Sequence, residues 1–219
     1  MCEYVNKKEL IKPRRIFSKW ISNVQHEIKE KYKITFSYDL IGSGSRNMVI
    51  RRCDNNYFDL DFQIVIQSIP KNMNRYKDCK KFKDIFIKTF NKYKPQGFID
   101  CKDRSQSLRT KNLNLGFGFD IIITCFDNDD NFYILYNKKD SNSSNNKDYE
   151  WVKRKKMNKY HERLTLVKES KMWNYLREIY KNKRHEHMND QEPKKHSYQL
   201  LNEAVVETLV EFRVNNYPI

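Results

Sequence analysis

Residues 41–61 read IGSGSRNMVIRRCDNNYFDLD, and the two ends of that stretch decide the fold. Gly42 and Ser43 open it as a turn, and Asp59 and Asp61 close it with one residue between them. Side chains two apart on a strand share a face. The spacing therefore sets Asp59 and Asp61 side by side, with Phe58, Leu60 and Phe62 on the reverse. Two adjacent carboxylates repel each other, and burying them unpaired is costly. A divalent cation relieves that repulsion, and hard oxygen ligands on one rigid strand suit magnesium. The stretch predicts a phosphoryl-transfer site, with metal on the paired Asp residues and phosphates at the Gly-Ser turn.

Working outward, Ile16, Trp20, Ile21, Val24, Ile28 and Tyr32 recur at helical spacing and predict a helix over 14–32. Pro13 stands just before it, where a helix start tolerates proline. Residues 35–41 read as a strand leading into the turn, and 58–66 as a strand ending before Pro70. Tyr76, Cys79, Phe82, Phe86, Phe90 and Tyr93 predict a second helix over 73–93, ended near Pro95 and Gly97. Strands are expected over 98–108, 117–125 and 132–136, with the Asn-Asp-Asp-Asn turn of 128–131 between the last two. The polar stretch 138–148 marks a boundary. Beyond it the chain turns helical: a stripe through Leu164, Val167, Met172, Leu176 and Ile179, a charged connector over 181–196, and a last helix through Leu200, Ala204 and Leu209. The expected fold class is α+β: a mixed, mostly antiparallel sheet with flanking helices over 1–140, followed by a helical half over 141–219.

In-line phosphoryl transfer with two metals calls for a further carboxylate near the attacking hydroxyl. Asp120, in GFGFDIIITCF, is the candidate. It shares a strand face with Gly118 and Ile122, and an Asp within so apolar a strand is expensive unless something pairs with it. Gly116 and Gly118 leave room nearby for a ligand to approach. The structural alternatives are solvated carboxylates at Asp59 and Asp61, and an ion pair from Asp120 to an arginine such as Arg109.

IGSGS, FDLDF and GFDIIIT, in that order, resemble the hG[GS]…Dh[DE]h…h[DE]h pattern of the DNA polymerase beta-like nucleotidyltransferase superfamily. The order of elements resembles it too: helix, strand, Gly-Ser turn, Asp-x-Asp strand, helix, then strands with the third Asp. Within it the chain is most similar to the oligoadenylate synthetase and bacterial cyclic-oligonucleotide synthase branch. That likeness rests on the strand over 132–136, Trp151, Lys171-Met172-Trp173, and His196-Ser197-Tyr198 before the last helix. The resemblance implies a polymerase beta-like palm. It implies that Gly42 and Ser43 hold the nucleotide's β- and γ-phosphates and that Asp59 and Asp61 bind two magnesium ions, with manganese as a substitute. Asp120 would bind the catalytic ion and help activate the acceptor hydroxyl. Lys171 would reach the triphosphate, and Ser197 or Tyr198 would contact phosphate or ribose. The partner implied is an NTP substrate, with RNA or a nucleotide as acceptor.

The formal charge of +15 fits a phosphate-rich partner, although a basic composition can also reflect a nucleotide-biased genome. Five scattered cysteines without a CxxC pair fit reduced thiols. His185-Glu186-His187 sits in a polar stretch and reads as a solvated loop. No apolar run approaches the roughly 20 residues that span a bilayer, and the first residues lack a signal-peptide core. A cytoplasmic protein without membrane contact is expected. Gly42-Ser43-Gly44-Ser45 is followed by no Gly-Lys-Ser/Thr, and Asn47 stands where a dinucleotide fingerprint has its third glycine. The expected function is magnesium-dependent, template-independent transfer of NMP from an NTP to a hydroxyl. The alternatives are a toxin- or antitoxin-type transferase acting on protein or tRNA, and a catalytically silent RNA-binding relative.

Overall fold

A computed structural model of the chain describes residues 3–52, 55–138, 148–154, 158–189, 195 and 197–216. The chain divides into two compact units. The larger comprises Val5–Val49 and Tyr57–Lys155. The smaller comprises Met1–Tyr4, Ile50–Asn56 and Lys156–Ile219.

The larger unit runs α1 (Ile11–Tyr32), β1 (Thr35–Ile41), α2 (Gly42–Ser45), β2 (Phe58–Ser68), α3 (Cys79–Lys92), β3 (Lys102–Asp103), β4 (Leu108–Asn112), β5 (Phe117–Phe126), β6 (Phe132–Asn137) and β7 (Tyr149–Lys153). The strands form one seven-stranded sheet in the order β1-β2-β5-β4-β3, with β6 on β5 and β7 on β6. Every pairing is antiparallel except β2 with β5, which is parallel. This matches the mixed, mostly antiparallel sheet expected from the sequence.

Strand β2 alternates as the 41–61 reading requires. Phe58, Leu60, Phe62, Ile64 and Ile66 are buried, while Asp59, Asp61, Gln63 and Val65 are half-buried on the other face. The buried set packs with Phe17, Trp20, Ile21, Val24 and Ile28 of α1, Phe82, Ile85, Phe86 and Phe90 of α3, and the apolar residues of β5. Phe17 stacks on Phe62 with centroids 3.5 Å apart and rings 9° from parallel. The Trp20 indole N–H donates to the Phe90 carbonyl at 3.1 Å and joins the two helices. Burial of each such side chain contributes about 1.5–3 kcal/mol. One face of β2 is thereby committed to the core, which leaves the Asp face clear of the two helices.

Away from the site, α3 is anchored by a buried charge pair. Lys83 Nζ lies 3.2 Å from Asp103 Oδ1, with side chains 0% and 3% exposed. The Tyr149 hydroxyl donates to Asp103 Oδ2 at 2.5 Å. Helix α3, strand β3 and strand β7 meet at this point.

Several expectations need correction. Helix α1 starts at Ile11, so Pro13 sits inside its first turn, where its missing N–H is no loss. Helix α3 starts at Cys79. Ahead of it, Asn74 Oδ1 accepts from the amides of Tyr76 and Lys77, which turns that segment back before the helix begins. Residues 98–108 are not one strand. β3 is two residues long, a bend at Ser105 and Gln106 follows, and the real strand is β4. Its sequence LRTKN hides the alternation because Thr110 and Asn112 are buried polar residues. Strand β7 was not expected after the polar stretch, of which residues 139–147 lie outside the described residues.

In the smaller unit, α4 (Asn158–Glu169), α5 (Trp173–Asn189) and α6 (Ser197–Asn216) pack through Tyr160, Leu164, Val167, Leu176, Tyr180, Leu201, Ala204 and Val205. The stripe from Leu164 to Ile179 is two helices, divided where Lys171 adopts φ 59°. The charged residues from 181 continue α5 to Asn189, so His185-Glu186-His187 is helical and is not a loop. No helix among the described residues is long and apolar enough to cross a membrane.

Candidate active site

Strand β1 delivers the chain to the Gly-Ser turn, which is the single helical turn α2. Ile41, its last strand residue, is the register partner of Asp61. Gly42 has φ +62°, and a Cβ there would lie 2.7 Å from Asp61 Oδ2, so only glycine permits this approach. Arg46 Nη1 donates to the Gly42 carbonyl at 2.7 Å, and Arg14 of α1 donates to the Gly44 carbonyl at 2.9 Å. The turn is thus held by an arginine at its own C-terminal end and by another from α1. Ser43, the candidate phosphate ligand, is half-buried within it.

Parallel pairing of β2 with β5 sets Asp59 beside Gly118 and Asp61 beside Asp120. Register partners on neighbouring strands project on the same side of a sheet. The three carboxylates predicted from sequence are therefore brought to one face of two adjacent strands, next to the turn.

They are not bare. Asp120, 8% exposed, is clasped by Arg109 of β4, its antiparallel register partner. The guanidinium donates twice, Nε to Oδ1 at 2.7 Å and Nη2 to Oδ2 at 2.5 Å, and the Ser107 hydroxyl lies 3.4 Å from Oδ1. Two-pronged Arg–carboxylate contacts are the stronger kind of ion pair. The ion-pair alternative for Asp120 is thus what the structure contains. Asp59 receives the Tyr57 hydroxyl on Oδ1 at 2.6 Å. Burial, and after it the hydrogen bond to Asp59, push the Tyr57 hydroxyl far above its ordinary pKa, so it remains a donor. Sequence reasoning missed Tyr57, although its position two before Asp59 places it on the same face. The room expected at Gly118 is taken by protein: a Cβ there would lie 1.9 Å from Tyr57 Oη and 2.6 Å from the Thr110 carbonyl. Gly116, at φ 70°, serves the turn between β4 and β5.

Lys171 and Ser197 belong to the helical unit. Lys171 is exposed in the turn between α4 and α5 and is not on a helix. Ser197 begins α6, and its hydroxyl accepts from Arg184 at 2.5 Å. Tyr198 packs its ring against Tyr160, centroids 5.1 Å apart. His196 lies outside the described residues.

Among the described residues no three acidic, His or Cys side chains converge as a ready-made metal cage. Magnesium does not need one. It is commonly held by one or two carboxylates, with substrate phosphates completing its shell. Asp59 and Asp61, two oxygen-bearing residues on one strand face beside the glycine turn, fit that mode. Asp120 is held by a guanidinium where a metal would set a cation. Replacing Arg109 with glutamine is therefore expected to lower stability in chelator by about 1–3 kcal/mol. Added magnesium should raise the thermal midpoint of the variant more than that of wild type. Calorimetry with and without the ion reads both.

The order and pairing of these elements make up a nucleotidyltransferase fold. No protein-family model and no curated protein matches the chain by sequence, so the likeness lies in structure. Solved structures of Vibrio cholerae DncV, a cyclic AMP-GMP synthase and prokaryotic cGAS homolog, superpose on it. Its apo form does so with a TM-score of 0.58 at 12% identity, over 94% of this chain and 53% of that one. The form with nonhydrolyzable GTP gives 0.58 at 13% identity, over 94% and 53%. Escherichia coli DncV with 3′-deoxy GTP gives 0.54 at 12% identity, over 94% and 54%. The chain spans about half the length of the structures it matches.

Proposed function

We propose that this chain is a magnesium-dependent, template-independent nucleotidyltransferase. It moves NMP from an NTP to a hydroxyl, with a nucleotide or an RNA end as acceptor, and releases pyrophosphate. The observation that carries this reading is the register of β2 and β5, which pairs Asp61 with Asp120 beside the Gly42 turn. The structural likeness to DncV, solved with ATP- and GTP-type nucleotides, supports NTP as the substrate class.

Gly42 and Ser43 bind the β- and γ-phosphates, and Asp59 and Asp61 hold magnesium. When bound, magnesium neutralises phosphate charge as the transfer proceeds. The acceptor oxygen bonds to the α-phosphorus as the bond from that phosphorus to the bridging oxygen breaks, and pyrophosphate leaves with the electron pair. Asp120 would join Asp59 and Asp61 on the catalytic ion and take the acceptor's proton, which requires Arg109 to release its carboxylate.

The test is incubation with each labelled NTP and magnesium, with and without RNA, followed by mass spectrometry of the products. Pyrophosphate and a nucleotidylated product are expected, both lost in chelator; release of neither with any NTP or acceptor overturns the proposal. The Arg109–Asp120 clasp favours one second reading, a silent RNA-binding relative. That reading requires steeply salt-dependent RNA binding without NTP turnover.

A further inference from the structure

Tyr57 lies two residues ahead of Asp59 and is 8% exposed. Its hydroxyl donates to Asp59 Oδ1 at 2.6 Å. It reaches there through a notch in the neighbouring strand. Gly118 is the register partner of Asp59, and a Cβ on it would sit 1.9 Å from Tyr57 Oη and 2.9 Å from Asp59 Oδ1. With any larger residue at 118 the phenol could not occupy this place.

The geometry points to Tyr57 as a positioning residue for the candidate metal site. Through the Gly118 notch it fixes the orientation of the Asp59 carboxylate that receives the divalent ion. The inference rests on the nucleotidyltransferase reading and deepens it by one residue. A carboxylate on β2 can turn about two side-chain torsions. A buried donor on one oxygen removes most of that freedom before the cation arrives. Outer partners of this kind typically change metal affinity or activity about 10- to 100-fold when removed. A tyrosine present only for packing would be replaced by phenylalanine without any such change.

The experiment compares the full chain with Tyr57→Phe, which keeps the ring and removes only the hydroxyl. Binding of Mn²⁺ alone is followed by the loss of the free-ion electron paramagnetic resonance signal, at a temperature where both proteins are folded. The variant is expected to bind Mn²⁺ about 10-fold more weakly. Its magnesium requirement for pyrophosphate release should rise by the same factor, while the rate at saturating magnesium stays within a few-fold of wild type. Equal Mn²⁺ affinity in the two proteins, with wild-type pyrophosphate release intact, overturns the role of Tyr57 and leaves the enzyme reading standing. A wild type that binds no Mn²⁺ and releases no pyrophosphate overturns both.

Discussion

Asp61→Asn is expected to lower pyrophosphate release about 10³-fold while leaving the thermal midpoint unchanged or higher. The same loss of rate is expected for Asp59→Asn, where the Tyr57 hydroxyl also loses its charged acceptor. Each substitution keeps the shape of the side chain and one oxygen but removes a formal charge. Loss of a metal-binding carboxylate removes several kcal/mol of transition-state stabilisation. About 4 kcal/mol corresponds to a factor of about 10³ in rate. For Asp61→Asn stability moves the other way, because Asp59 and Asp61 project on the same strand face and repel. Opposite signs on rate and stability are the mark of a functional rather than a scaffolding group. Steady-state release assays and calorimetry on the same preparations check the pair. Undiminished release in both variants would refute the assignment of these carboxylates.

Lys83→Met is expected to cost about 3–5 kcal/mol of stability, because it removes the ammonium facing a carboxylate that is 3% exposed. For a chain of this size that corresponds to a fall of roughly 6–20 °C in thermal midpoint. Charge burial, rather than lost packing, is the reason. The triple variant Lys83→Met, Asp103→Leu, Tyr149→Phe removes both charges and the hydroxyl that donates to Asp103, so it should recover most of the loss. A triple variant no more stable than Lys83→Met would contradict this account. The effect should extend to the site: Asp103 pairs with Leu108, so β3 holds β4, and β4 carries Arg109.

The parts of this architecture visible in the sequence are those with a clean period. FDLDFQIVI alternates at every position except Val65, so β2, its core face and its acidic face can be read directly. Helix α1 follows from the spacing of Trp20, Val24 and Ile28. Asp120 stands out because it is the one charge in an apolar strand. Strand β4 is hidden, since its inward positions are Thr110 and Asn112 as well as Leu108. The Gly118 notch is hidden for another reason. A glycine in a strand announces an approach, but only coordinates reveal whether a ligand or a tyrosine makes it. Arg109 could be named as a partner for Asp120, yet its two-pronged grip depends on β4 lying antiparallel on β5. Continuation of α5 beyond residue 181 was obscured by charge, because Lys, Arg and Glu favour helix and solvent alike.

The parallel union of β2 with β5 joins residues 58–66 to 117–125. No hairpin can make such a union, and closing the intervening chain costs entropy before any contact repays it. As the chain emerges from the ribosome, its first carboxylates wait unmated through the synthesis of α3, β3 and β4. A nascent chain should remain catalytically mute until β5 has been made and has docked, which makes activity itself a late reporter of folding.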